Sequence, residues 1–306
     1  MNADLGSAIT RAASRQTYYT IRLLADRERL EDAYLAYAYF RWVDDILDAA
    51  SGEEGERRAF LERQKSLLEA CSRGRPPRDI DMQEEMLLEM VRHDPGRDSG
   101  LQLYLRNMMQ VMEFDVARRG RLITQRELNE YTHHLAVAVT EAIHYFIGHD
   151  EGAPHDAGRY LAVSAAHIIH MLRDTFVDAQ LGYCNVPGEV LEANHLCATD
   201  VHQEAYRAWV ESRVLLAREY FRAGKDYFAR VRSWRCRLAS FAYMARFEWL
   251  LETIAREGYL LRPDYSERKS GRAGLRMAWL TLSSMASLRA APALAQPAVP
   301  HPSGRA

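Results

Sequence analysis

A chain of 306 residues with 48% hydrophobic and 27% charged side chains can bury a large core and has a globular rather than a disordered composition. Its 40 Lys and Arg balance 42 Asp and Glu, for a net charge of −2, which argues against a nucleic-acid partner. Cys71, Cys184, Cys197 and Cys236 form no Cys-x-x-Cys pair and Met1 to Leu5 lacks a secretory pattern, so the cysteines read as small core residues of a cytoplasmic protein.

In chain order, Ser14 to Tyr19 precedes a helical pattern, with Ser14 or Thr17 as its N-cap or as part of a pocket. The next helix, Tyr37 to Asp48, carries Tyr37, Arg41, Asp44 and Asp48 at spacings of four, three and four, which is one stripe. Its other sides hold Leu35, Tyr39, Trp42, Val43 and Ile46, so the helix should be buried and its carboxylates should point into protein. Two like charges so placed call for a cation, and oxygen ligands on a rigid helix suit Mg²⁺ bridging to a substrate phosphate.

A charged helix over Glu53 to Ala70 is stopped by Gly74, Pro76 and Pro77. Helical periodicity returns over 81–93, breaks at Asp94-Pro95-Gly96, and resumes through Leu101, Leu105, Met108, Met109 and Met112, where the methionines read as core filler. Thr124 and Glu127 form a capping box for a long helix bearing His133, His134, Glu141 and His144.

After Gly152 and Pro154 another long helix carries His167, His170, Asp174 and Asp178, again on one stripe. The second pair repeats the Asp-x-x-x-Asp of the first, and in an antiparallel bundle two such stripes can face each other across a cavity and hold a diphosphate through metal. Two aromatic-rich helices follow from about 200 to 257, broken near Ser233-Trp234. Arg262 to Arg276 is basic, and Arg268 and Lys269 in it are candidates for phosphate contact. Met277 to Leu288 is apolar but too short to span a bilayer, which leaves packing on the bundle or peripheral contact with a membrane. Residues 291–306 are Ala/Pro-rich and expected to be a disordered tail after a single helical domain over 1–290. No Gly-x-Gly-x-x-Gly is present, so NADPH is not indicated, and nothing assigns an oligomeric state.

These motifs resemble the squalene/phytoene synthase family. Ser14 to Tyr19 is similar to its N-terminal Ser-x-x-Phe-Tyr element, and Tyr37-Ala38-x-x-Arg41-x-x-Asp44-Asp45-x-x-Asp48 to its first aspartate-rich motif. Met112 to Asp115 and Tyr131 to Ala136 resemble its middle segments, and Leu172 to Asp178, continuing to Val186-Pro187, its second aspartate-rich motif. The resemblance implies an all-α bundle of the isoprenoid synthase type with a central cavity. It also implies Mg²⁺, with Mn²⁺ as the alternative, on Asp44, Asp48, Asp174 and Asp178. The implied reaction is head-to-head condensation of two prenyl diphosphates, of fifteen or twenty carbons. Tyr37, Arg41, His133, His134, His167 and His170 are then the catalytic candidates. Ser14, Thr17, Tyr18, Arg41, Arg173, Phe247, Arg268 and Lys269 are those for substrate. Tyr18, Tyr19, Tyr37, Phe40 and Phe247 would wall the cation.

The sequence departs from that family at Val177, where it has Glu, at His167 and His170, where it has amides, and at Val137 and Thr140, where glycines line its chain channel. Three other readings compete: a non-catalytic prenyl-lipid-binding or assembly protein of the same fold, a terpene synthase-like enzyme with one prenyl diphosphate substrate, and a di-metal oxidase built on Glu141-x-x-His144 and His167-x-x-His170.

Overall fold

Four hydroxyl side chains mark where helices begin. In a computed structural model describing residues 2–49, 54–94, 96, 98–149 and 153–290, Ser14, Ser99, Thr124 and Ser233 each accept a hydrogen bond from the backbone amide three residues on. The expected capping box is present: Thr124 Oγ1 accepts from the Glu127 amide (3.2 Å), and the Glu127 carboxylate accepts from the Thr124 amide (2.7 Å). Thr124→Ala should therefore lower unfolding free energy by about 1 kcal/mol, measurable by urea titration; an unchanged midpoint would assign no stability to the box.

The described residues form twelve α-helices and no strand: α1 (Asn2–Ala13), α2 (Arg15–Leu24), α3 (Leu30–Asp48), α4 (Glu54–Ser72), α5 (Glu84–His93), α6 (Gly100–Arg118), α7 (Gln125–Phe146), α8 (Leu161–Gln180), α9 (Gly188–Asn194), α10 (Glu204–Ala229), α11 (Trp234–Arg256) and α12 (Gly271–Ala290). The all-α expectation holds. Helices α1 and α9 have too few apolar repeats to stand out in the sequence, and the basic stretch from Arg262 begins as loop and a 3₁₀ turn, Ser266–Lys269, before α12 starts.

Six helices close a ring. α3 packs on α6, α6 on α7, α7 on α8, α8 on α11, α11 on α2, and α2 on α3. Around it, α1, α4 and α5 back α3, α10 backs α8, and α12 lies on α11. At Gly224 of α10 an added Cβ would stand 2.8 Å from the Cα of Ala162, so this glycine lets α10 approach α8 closely. One apolar cluster runs through the ring from Ala25 to Ala273 and includes Leu35, Tyr39 and Val43 of α3, as the aromatic pattern of that helix requires. Each such side chain contributes about 1.5–3 kcal/mol on burial.

The cysteine expectation needs correction. Cys71 and Cys236 are buried, Cys184 is partly so, and Cys197 is exposed. The expected disordered tail, 291–306, lies outside the described residues.

Candidate active site

The ring encloses a cavity of about 550 Å³. α2 contributes Gln16, Thr17, Thr20 and Ile21. α3 contributes Ala36, Tyr37, Phe40, Arg41 and Asp44, so three members of the stripe foreseen on this helix face inward, while the fourth, Asp48, lies beyond the lining. From α6 come Tyr104, Met108, Val111, Met112 and Asp115, and from α11 Ala239, Ala242, Tyr243 and Arg246. Met108 and Met112 are thus cavity wall, a softer surface than pure core filler, because an unbranched thioether adapts to an irregular guest.

On α7 the inward stripe is Tyr131, Leu135, Val139, Ala142, Ile143 and Phe146. His133 and His134, expected as catalytic candidates, fall off it and do not line the cavity. His133 is exposed, and His134 Nδ1 is hydrogen-bonded to Asn107 Oδ1 (2.9 Å). Val137 and Thr140 are likewise buried behind the wall and fill no part of the cavity. On α8 both His167 and His170 line it.

The two acidic stripes meet at one end of this cavity through a polar link between α3, α6 and the loop after α8. Asp48 accepts from the Tyr183 hydroxyl (3.2 Å), and the Tyr183 ring lies under the guanidinium of Arg118 (4.7 Å). Arg118 pairs with Asp115 (2.7 Å) and donates to Asn185 (2.8 Å), whose amide donates to Asp178 (2.5 Å). Tyr131 donates to the other oxygen of Asp115 (3.0 Å). Asp115, Arg118, Tyr183 and Asn185 had no assigned role in the sequence; Asp115 stood in a recognised segment, while the others lack spacing to reveal them.

The stripes differ electrostatically. Burial, helped by the charges of Asp48 and Asp115 and against the pull of Arg41, pushes the Asp44 carboxyl up to about 7. Asp115 and Asp178 are also raised by burial, despite the hydrogen bonds from Arg118 and Tyr131 to the first and from Asn185 to the second. At Asp174 burial is outweighed by hydrogen bonds from His170 (2.9 Å) and Arg173 (Nε to Oδ1, 2.5 Å), which hold it below the usual carboxylate range. On the α3 side burial and like charges thus oppose ionisation of Asp44, whereas on the α8 side the Arg173 guanidinium already sits on Asp174. Arg41 joins Asp44 (3.1 Å) and the exposed Asp45.

His167 is 5% exposed, and neither of its ring nitrogens has a hydrogen-bond partner among the described residues. Its ring meets Tyr131 edge-on, and burial, with His170 and Arg118 nearby, lowers its pKa well below the ordinary histidine value, so it is neutral.

The remaining substrate candidates divide. Thr17 lines the cavity, and Ser14 caps α2 while bonding to the Thr17 hydroxyl (2.9 Å) and lies close enough to Tyr37 to hydrogen-bond its hydroxyl. Tyr18 turns away to stack on Tyr34, and Tyr19 is half exposed. Phe247 is buried behind Tyr243, so the ring walls are Tyr37, Phe40, Tyr104, Tyr131, Phe146 and Tyr243. Lys269 lines a neighbouring pocket with Arg268, and Arg268 feels both Arg173 and Asp174. Val177 is 51% exposed, so this departure from the aspartate-rich pattern is a surface one.

The di-metal reading fails on geometry. Glu141 is bound on both oxygens by Arg159 (2.7 and 2.8 Å) and again by the Tyr160 hydroxyl (2.8 Å), and His144 bonds to Tyr227 and Cys236. Neither has a free electron pair directed at the cavity. Among the described residues no group of three His, Cys, Asp or Glu side chains converges as a metal site of its own.

The family model for squalene/phytoene synthase matches residues 10–278. The chain belongs to this family. Within the squalene/phytoene synthases it is similar to the presqualene diphosphate synthases of Zymomonas mobilis (28% identical over 193 residues, 62% of this chain) and Rhodopseudomonas palustris (28% over 185 residues, 60% of this chain). The matched region spans 62% of each of these relatives. Among solved structures a dehydrosqualene synthase superposes with a TM-score of 0.72 at 17% identity, covering 95% of this chain and 97% of that one. Squalene synthase HpnC from Alicyclobacillus acidocaldarius superposes with a TM-score of 0.67 at 19% identity, covering 85% and 95%. Both agree with the isoprenoid synthase fold expected for a squalene/phytoene synthase.

Proposed function

We propose that this chain is a prenyltransferase that ionises one prenyl diphosphate at the acidic mouth and joins the resulting cation to a double bond of a second prenyl chain in the cavity, the adduct cation then losing a proton to the released diphosphate. Presqualene diphosphate, the product in the names of the two relatives, is the first product to look for. The observation that carries the reading is two acidic stripes joined at the mouth of an apolar, aromatic cavity.

A divalent cation fits the donor set. Asp44 and Asp48 on one stripe and Asp174 and Asp178 on the other would hold it, each pair on its own side of the diphosphate, with substrate oxygens and water completing the coordination. When bound, Mg²⁺ supplies Lewis-acid stabilisation of the leaving diphosphate. The chain's own cations, Arg41, Arg173 and Arg246, would take up diphosphate charge as the allylic C–O bond breaks and the electron pair leaves with oxygen. Tyr37, Phe40, Tyr104, Tyr131, Phe146 and Tyr243 present ring surfaces to the carbon cation, at about 0.5–2 kcal/mol each. Exclusion of water by the closed ring of helices guards the cation against capture as an alcohol.

The test is incubation with Mg²⁺ and prenyl diphosphates of ten, fifteen and twenty carbons, followed by analysis of organic extracts before and after phosphatase treatment. Coupled product from the fifteen- or twenty-carbon substrate supports the reading. A single-chain alcohol or terpene would instead favour a one-substrate enzyme, and binding with no turnover a lipid-binding relative.

His167 and His170 give a further expected result. Replacing them together, His167→Gln and His170→Asn, should preserve folding, since both face the cavity rather than the core, yet change the ratio of products by altering the polar lining beside the cation. An unchanged product profile at unchanged rate would make both histidines structural.

A further inference from the structure

The last helix turns an apolar stripe outward. α12 buries Ala273 and Thr281 and packs Met277 and Met285 against the core, while Leu275 (75% exposed), Trp279 (70%), Leu282 (63%) and Ala286 follow at spacings of four, three and four on the opposite side. Arg272 and Arg276 are exposed along the same face, and Lys269 just precedes it. α2 does the same on a smaller scale, exposing Arg15, Tyr19 (50%), Arg22 and Leu23 (70%). The two helices flank one pocket of about 590 Å³, lined by Gln16 from α2 and by Met277, Ala278, Thr281 and Leu282 from α12. Gln16, Ala242 and Arg246 line both this pocket and the central cavity.

Five of the eleven large apolar side chains exposed among the described residues thus lie on two neighbouring helices, which marks a patch rather than scatter. Neither helix contains an Asp or Glu, so Arg15, Arg22, Arg272 and Arg276 have no acidic neighbour on their own helix; the fifth cation of these faces, Lys269, ends the 3₁₀ turn before α12, whose Glu267 pairs with Arg262. A second copy is a poor occupant, because a twofold contact of this face with itself would set cation against cation. An apolar stripe with Trp at its centre, edged by Arg and Lys, matches the boundary between lipid headgroups and acyl chains. Among the described residues no helix is long and apolar enough to cross a membrane, so such contact would lie in the interface plane.

We propose that the α2/α12 face docks on an anionic lipid bilayer, with Leu23, Leu275, Trp279 and Leu282 entering the headgroup boundary and the five cations meeting lipid phosphates. The surface stands on exposure and charge alone and does not depend on the prenyl-transfer reading. A bilayer there would also place the pocket leading to Gln16, Ala242 and Arg246 next to the phase in which long apolar chains dissolve.

The full chain should sediment with vesicles of phosphatidylcholine containing phosphatidylglycerol, less so as salt is raised, and much more weakly with pure phosphatidylcholine. Arg272→Gln and Arg276→Gln should each weaken the partition about fivefold. Trp279→Glu should weaken it by about tenfold or more. The thermal melts of all three variants should match the parent because these side chains are exposed. Equal sedimentation with both vesicle types, none with either, or no effect of Trp279→Glu would overturn the proposal. So would a dimer in sedimentation equilibrium that Trp279→Glu dissociates, or stronger vesicle binding by a chain ending at residue 290.

Discussion

Asp44→Asn should lower Mg²⁺-dependent diphosphate release about 10³-fold while leaving the fold intact. Asp44 lines the cavity beside Arg41, and its amide counterpart has nearly the same volume but no charge to give a cation. In metal-free protein the variant should be slightly more stable than the parent. Burial, Asp48 and Asp115 all oppose ionisation of this carboxyl, so removing its charge relieves repulsion. Asp174→Asn should abolish turnover to a similar extent but with the opposite effect on stability, because Asp174 accepts hydrogen bonds from His170 and Arg173 and its loss leaves Arg173 unpaired. A phosphate-release assay with thermal melts of both proteins reads the two effects separately. Parent-like turnover in either variant, with Mg²⁺ present, would falsify the assigned role.

The largest expected effect on stability lies away from the mouth, at Arg159. Its side chain is almost fully buried and binds both oxygens of Glu141 and the hydroxyl of Tyr227, so Arg159→Met would leave a buried carboxylate with only Tyr160 to satisfy it. Breaking such a pair from one side costs about 3–5 kcal/mol, whereas Glu141→Gln combined with Arg159→Met should recover part of the loss. Urea titration of the three proteins decides this; additive losses would mean that the two side chains are not coupled. The pair also sets a pH dependence. Burial raises the Glu141 pKa, but the hydrogen bonds and charge of Arg159, with Tyr160, outweigh it and hold the folded value below the ordinary 4.5. A depressed carboxyl stabilises the fold fully above its unfolded value and loses that contribution as pH falls through that value toward the folded one. The melting temperature of the parent should therefore drop below about pH 4.5 more steeply than that of Glu141→Gln.

Helical spacing made half of the site legible before any coordinates. Tyr37, Arg41, Asp44, Asp48, His167, His170, Asp174 and Asp178 fall on two stripes because a helix repeats every 3.6 residues; Tyr37, Arg41, Asp44, His167 and His170 line one cavity, while Asp48, Asp174 and Asp178 lie beyond its lining. The same logic misplaced His133 and His134, since apolar neighbours surround them on both sides and the inward face of α7 depends on how it packs against α6 and α8. Phe247 was misread for a similar reason: adjacent aromatic positions on α11 differ in depth, and Tyr243 occupies the wall. Arg118, Tyr183 and Asn185 lay beyond any spacing rule, because their partners are up to 135 residues away in sequence and only the tertiary fold brings them together. The ion pair of Glu141 with Arg159, eighteen residues on, shows the converse. A Glu-x-x-His spacing that suits metal on one helix has no metal function once a neighbouring arginine occupies the carboxylate.

If the two acidic stripes hold a diphosphate together through a divalent cation, removing the cation must release the diphosphate. Calorimetric titration of a non-ionisable prenyl thiolodiphosphate into the protein, with Mg²⁺ and again with EDTA, tests it without requiring turnover. The expected result is binding with Mg²⁺ that is lost in EDTA and lost equally in Asp44→Asn and Asp178→Asn, one from each stripe. Equal binding with and without Mg²⁺, or binding that survives both substitutions, would contradict it.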